Sequence, residues 1–437
     1  MQKPEVSKHF KSRQPSSIRM AQIEFLKRDD KVEAVNTAIG NVTLPMHPAM
    51  IQRMHNLCSG KESYFRSGVV GYTPSSGTVE TMDAFRNIIA SSGLKSDNLS
   101  VMVTDGGSQA MEIALVGVCG EAGTGKKPLL MIDAAYTNYI AFAERIGRKT
   151  VSVTRKLLDN GKFTLPDLPD LERVIQEYQP GALVVIPYDN PTGHFCNMDS
   201  MIELAKLCVK YNMWMISDEA YRELLYINEA KSSIWALNDS LVQGIEGRRI
   251  SIETASKVWN ACGLRIGALV TDNKEFYDKA LAEYTTNLCA NAIGQYIFGA
   301  IAHESHEDLN KWYQQLRDYY KPLFSEVRKV LIELLPGVIV SSPEASLYSV
   351  VDVRNIAKKG FNSTEFSLYC AQKGNVEIEG KHYTLLIAPM SGFYDVKKGE
   401  ENPGMTQLRI AYVPKPEKIM IVPYLFDKLF KEFESKR

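Results

Sequence analysis

The chain is punctuated by short apolar runs that stop abruptly at polar residues. Residues 99–104, 128–132, 182–188, 212–217 and 250–254 are short and rich in large or β-branched side chains, so each reads as a buried strand. Ile266-Gly267 opens a further apolar strand, and residues 408–413 alternate as another. Residues 109–117, separated from the first run by four residues, read as a helix. A long amphipathic helix is expected over 293–335, closed by Pro336-Gly337. Strands and helices mixed in this way predict an α/β fold, and in open α/β sheets ligands collect beyond the C-terminal ends of the strands.

Those ends carry the chemistry. Run 99–104 leads into Asp105-Gly106-Gly107-Ser108 and then a helix start, where backbone N–H groups and the helix dipole favour an anion. A plain tight turn capped by Ser108 is the alternative. Run 182–188 leads into Asp189-Asn190-Pro191-Thr192-Gly193, either an ordinary turn or a ligand loop, and Asn190–Pro191 is a candidate cis peptide. Run 212–217 ends in Asp218-Glu219-Ala220-Tyr221, where Asp218 serves either a ligand or as the cap of a helix beginning at Glu219. Run 250–254 ends in Ala255-Ser256-Lys257, with Arg265 eight residues beyond the lysine. A lysine at the end of a buried strand loses solvent, which lowers its pKa and frees an amine for Schiff-base chemistry. For each motif alone the bland reading competes well; their succession at strand ends is what points to a site.

In these motifs the chain resembles the class I/II aminotransferases, pyridoxal-phosphate (PLP) enzymes of fold type I, from about Asn36 to Val413. The resemblance implies a large domain with a mostly parallel mixed sheet flanked by helices, and a smaller C-terminal α/β domain. It implies that Lys257 carries PLP as an aldimine, that Asp218 faces the pyridine nitrogen, and that Asn190 and Tyr221 face the ring's phenolic oxygen. Gly107, Ser108, Thr254, Ser256 and Arg265 are then expected at the phosphate. Tyr136, in Asp133-Ala-Ala-Tyr-Thr, matches the aromatic that stacks on the ring, although Ala134 and Thr137 stand where the family has prolines. Its alternative is core packing together with Tyr139. Ile39 and Gly40 match the substrate entrance, and Arg409 matches the residue that holds the substrate α-carboxylate; an arginine on a solvated edge strand is its alternative. Tyr72, in Gly71-Tyr72-Thr73-Pro74, resembles the tyrosine that reaches the phosphate of a neighbouring subunit, so a homodimer with shared active sites is expected.

The same likeness implies transamination: Arg409 orients the amino acid, and Lys257 moves the proton between Cα and the cofactor. Catalytic roles are thus expected for Lys257, Asp218 and Tyr221, with ping-pong transfer from an L-amino acid to a 2-oxo acid. A C–S β-lyase or decarboxylase on the same scaffold is the alternative, and a non-catalytic PLP sensor ranks below both. Arg53 and Arg66 lie where a second arginine would read a side-chain carboxylate, with Arg66 the first to test.

Composition narrows the field further. The 51 Lys and Arg balance 51 Asp and Glu, which argues against a polyanion-binding surface such as one for nucleic acid. No apolar run is long enough to span a bilayer. The 7 cysteines are odd in number, scattered and without a C-x-x-C pair, which points to a reducing compartment, hence the cytoplasm. Cys262 reads as a small buried hydrophobe. His303 and His306 form a helix face rather than half a metal site, and no metal is expected. Lys3, Lys8, Lys11, Arg13 and Arg19 make the first twenty residues basic, read as an arm packing on a partner subunit. The expected division is an arm and entrance segment over 1–42, a large PLP-binding domain over 43–292, and an interdomain helix with a small domain over 293–437.

Overall fold

The computed structural model describes residues 3–61, 63–397 and 399–437. Its centre is a seven-stranded sheet in the order Ser100–Thr104, Gly267–Thr271, Arg249–Thr254, Trp214–Asp218, Ala182–Val185, Leu129–Asp133, Thr150–Thr154. Gly267–Thr271 runs antiparallel to both neighbours, and the remaining pairs are parallel. Helices cover the sheet, so its central strands are buried on both faces, which is why they read as unbroken apolar runs rather than alternating ones. The expected α/β sheet, mostly parallel and flanked by helices, is the one found.

Two differences have local causes. The run 182–188 is a strand only as far as Val185, because Pro187 offers no N–H to a ladder and the chain turns toward Asn190. The expected long helix is broken into Ala292–Gly299, a 3₁₀ turn Ala300–His303, and His306–Leu334. Ser305 makes the break: its hydroxyl accepts from Asp308 N–H, and Glu307 and Asp308 place acid in the first turn of the new helix.

A four-stranded antiparallel sheet runs in the order Ala388–Pro389, Gln407–Ala411, Tyr348–Asp352, Ile339–Val340. A separate three-stranded sheet pairs Glu33–Asn36 in parallel with Lys381–Leu386. That pairing brings residues 36–41 from the beginning of the chain to the strand ends of the central sheet. Helix Ser17–Phe25 also packs on its own chain, with Ile18, Ala21 and Phe25 against a cluster containing Leu386, Ala388 and Phe393. The end of the basic N-terminal segment is therefore anchored on its own chain. Among the described residues no helix is long and apolar enough to cross a membrane.

Candidate active site

Five strands of the central sheet end at one edge with the motifs singled out in the sequence. Because Gly267–Thr271 runs the other way, its preceding residue, Arg265, arrives at that same edge. A cavity of about 930 Å³ opens there. Its walls include Ile39, Gly40, Gly107, Ser108, Tyr136 and Asn190, together with Asp218, Tyr221, Thr254, Ser256, Lys257, Arg265 and Arg409.

One end suits a phosphate. Gly106 caps helix Gly107–Val118 with φ 84° and gives its first turn no side-chain cap, leaving the early amides free for an anion. A Cβ on Gly106 would lie 2.4 Å from Arg265 Nη2, so the guanidinium rests directly over this turn. Arg265 itself is exposed, adopts φ 53°, and has no carboxylate within ion-pair distance among the described residues. Thr254 Oγ1 donates to Ser256 Oγ at 2.8 Å, which places two hydroxyls beside it. Amides, hydroxyls and a planar guanidinium are the donor set a phosphate monoester requires.

At the middle of the cavity stands Asp218, the last residue of its strand. No helix begins at Glu219; the chain turns, and Asp218 Oδ1 accepts from Ala220 N–H at 3.1 Å. Its Oδ2 accepts from the Tyr139 hydroxyl at 2.6 Å. Loss of solvent pushes the carboxyl up to about 6, against the lowering effect of those hydrogen bonds. Tyr139 thus does more than pack, although it also meets Tyr136 edge-on with ring centroids 5.5 Å apart. Burial pushes the Tyr136 phenol up to about 12, and Asn138 Nδ2 donates to its oxygen at 2.7 Å. The Asp133–Ala134 peptide before this segment is cis, as is Asn190–Pro191.

The other end joins distant parts of the chain. Lys257 Nζ, half-buried, donates to Gly40 O at 2.5 Å. Arg409 is only 3 % exposed, in a strand buried on both faces, so the edge-strand reading fails. Its Nη1 donates to Asn190 Oδ1 at 3.0 Å and its Nη2 to Ala38 O at 2.6 Å, while Nε is buried without a partner. Asn190 Nδ2 in turn donates to Tyr221 Oη at 3.3 Å. Tyr348, which carried no signal in the sequence, completes this wall: its hydroxyl lies 2.8 Å from that of Tyr221. Burial raises the Tyr221 phenol well above its usual range, so it stands there as a neutral hydroxyl.

Some expected residues lie elsewhere. Tyr72 is 82 % exposed and outside the cavity, beside the exposed Val69 and Val70. Arg53 is committed to Glu80 through contacts of 2.6 and 2.7 Å. Among the described residues Arg66 reaches only Lys61 O, and it does not line this cavity. His303 and His306 fall on separate elements and face Glu80 and Asn87 respectively. Cys262 is half-buried and lines the cavity, its Sγ 3.2 Å from Asn41 Oδ1, because the 3₁₀ turn Cys262–Leu264 has no buried residue. Arg19 and Gln22, one helical turn apart on Ser17–Phe25, also reach the cavity rim; only the basic composition of that segment hinted at them.

The family model described as aminotransferase class I and II matches residues 40–386. An aspartate aminotransferase from Musicola paradisiaca is 24% identical over 341 residues, covering 74% of this chain and 78% of that protein. A cystathionine beta-lyase from Bacillus subtilis is 23% identical over 248 residues, covering 56% of this chain and 60% of that protein. Among solved structures, a kynurenine aminotransferase from Pyrococcus horikoshii, in complex with PMP, superposes with a TM-score of 0.77 at 20% identity, covering 98% of this chain and 97% of that one.

Proposed function

The chain belongs to the class I and II aminotransferase family, and on that premise we propose that it moves the amino group of an L-amino acid to a 2-oxo acid by a ping-pong cycle. It is a PLP-dependent transaminase. Bound at this site, PLP supplies an electron sink that weakens the bonds to the substrate Cα.

In this reading Lys257 is the residue to which the cofactor attaches, and its amine, once displaced by substrate, carries the proton at Cα. Asp218 holds the proton on the ring nitrogen, which a buried carboxylate does well. Asn190 and Tyr221 face the ring oxygen, and Tyr136 covers the ring. Gly107, Ser108, Thr254, Ser256 and Arg265 hold the phosphate. Arg409 grips the substrate carboxylate with its planar fork, under a roof made by Ile39 and Gly40. Tyr72, far out on its own chain, reaches the phosphate of a second copy, so the working form is a homodimer with shared sites. The division at residues 42/43 and 292/293 belongs to the same reading, as does a cytoplasmic location, which the seven unpaired cysteines suit.

The observation that carries the proposal is the convergence of Lys257, Asp218 and Arg409 on one cavity from three separate strands or strand ends. The test is visible absorbance of the purified protein with PLP while amino acids, then a 2-oxo acid, are added. A band that bleaches with certain amino acids and returns with the 2-oxo acid supports the transaminase and identifies its substrates. Release of ammonia and pyruvate without amino transfer would instead favour a β-lyase, the activity named for one relative. No band at any PLP concentration would overturn the role of Lys257.

A further inference from the structure

We propose that Tyr348 is a positioning residue: its hydroxyl donates to Tyr221 and so turns the Tyr221 proton into the cavity, while its ring backs Arg409. The inference rests on the reading of Tyr221 given above and assigns a role to a side chain that reading leaves unused.

The argument is one of hydrogen-bond capacity. A phenolic hydroxyl has one proton to give and two lone pairs to fill. Arg409 Nη1 donates to Asn190 Oδ1, which fixes the Asn190 amide with its Nδ2 toward Tyr221. Asn190 therefore occupies one Tyr221 lone pair. The Tyr348 hydroxyl, 2.8 Å away, has no other hydrogen-bond partner among the described residues. It presses on Gly40, where a Cβ would come within 2.4 Å of it, and the nearby Lys257 Nζ is directed at Gly40 O instead. In the proposed arrangement Tyr348 donates to Tyr221, the one described side chain within hydrogen-bond reach of its hydroxyl. With both lone pairs filled, Tyr221 keeps its own proton for the cavity, and each bond it accepts makes it a stronger donor.

The same side chain closes a circuit. The Arg409 guanidinium carbon lies 4.4 Å from the Tyr348 ring centre and 5.1 Å from that of Phe393. Arg409, Asn190, Tyr221 and Tyr348 are each no more than 4 % exposed. The group that meets the substrate carboxylate is thereby joined to the group that meets the cofactor ring. Other ionisable groups facing this circuit include Asp218, Tyr136, Lys257 and Tyr320, and among the described residues none of them hydrogen-bonds to either tyrosine hydroxyl.

Two substitutions separate hydroxyl from ring. A donor facing the cofactor's ring oxygen draws off negative charge that otherwise holds a neighbouring proton, so weakening the donor moves the visible band's titration to higher pH. Tyr348→Phe keeps the ring and is expected to raise that titration by about 0.5 to 1 pH unit, one neutral hydrogen bond, with KM for the amino acid changed less than about twofold. Tyr348→Leu should raise it equally and also raise KM about fivefold, because Arg409 loses its aromatic face. In a Tyr221→Phe background, Tyr348→Phe should shift the titration no further. An unshifted titration in Tyr348→Phe, or the same shift with and without Tyr221, would overturn the proposal. A wild-type protein with no visible band would overturn the reading of the site itself, and this inference with it.

Discussion

Tyr139 donates to Asp218 Oδ2 at 2.6 Å from the start of a helix 79 positions earlier in the chain. Loss of solvent has already brought the Asp218 carboxyl to about 6, and the tyrosine is the largest influence holding it down. Tyr139→Phe should therefore raise it further. A carboxylate with a raised pKa is ionised over a narrower range, so the acid limb of kcat/KM moves upward by about 0.5 to 1 pH unit while the plateau at high pH stays. An unmoved acid limb would leave Tyr139 as a packing residue only.

Arg409 meets Asn190 and Ala38 through two different nitrogens. Lysine keeps the charge but not the planar fork. Arg409→Lys is expected to lower kcat/KM for the amino acid by about tenfold to a hundredfold, mostly through KM, from the loss of a charged hydrogen bond worth about 1.5–3 kcal/mol. Steady-state kinetics on the best substrate checks this. A change confined to kcat would remove Arg409 from carboxylate binding.

Gly267 packs against the phosphate turn, where a Cβ would lie 2.4 Å from Gly107 N and 2.5 Å from Gly106 C. Both obstacles are backbone, so Gly267→Ala must push the helix start away from the strand. The expected result is about a tenfold or greater loss of PLP affinity by equilibrium dialysis, with a fall in melting temperature. Unchanged affinity would show that the turn does not hold the phosphate.

Asp133 is 1 % exposed; its Oδ2 accepts from Asp395 N–H and its Oδ1 is buried without a partner. Burial pushes its carboxyl up to about 6. The folded state thus holds this proton more tightly than the unfolded state, whose value is near 3.9. Ionisation costs the fold stability as pH rises from about 4 through about 6, and the cost is complete above that range. Asp133→Asn removes the charge and should stabilise the protein by about 2 kcal/mol at pH 8 and by little at pH 4. Melting temperatures at both pH values decide it; equal shifts at both would show that the buried charge is not what matters.

Much of this site was legible because its parts are local. A buried strand followed at once by Asp218, Asn190 or Lys257 is a pattern held within a few residues, and the sheet geometry brings such ends together. The break at Ser305 was a local signal too, since a serine followed by two acids is a helix start, but the amphipathic pattern on either side concealed it. Tyr348 was different in kind. It opens an apolar strand with nothing nearby to distinguish it from a core aromatic, and only the pairing of Tyr348–Asp352 with Gln407–Ala411 puts it beside Arg409.

The sequence by itself determined the run of strands, the polar groups at their ends and the family to which these motifs point. Backbone propensity and burial pattern act over short stretches, and those stretches carried the information. The tertiary structure alone decided which tyrosine steadies Asp218, that Arg409 is buried and tied to Asn190 across 219 positions, and that Ala38 and Gly40 close the cavity over Arg409 and Lys257. Each is a hydrogen bond between residues far apart in the chain, and its length and direction are set by how the sheets pack rather than by the residues beside it.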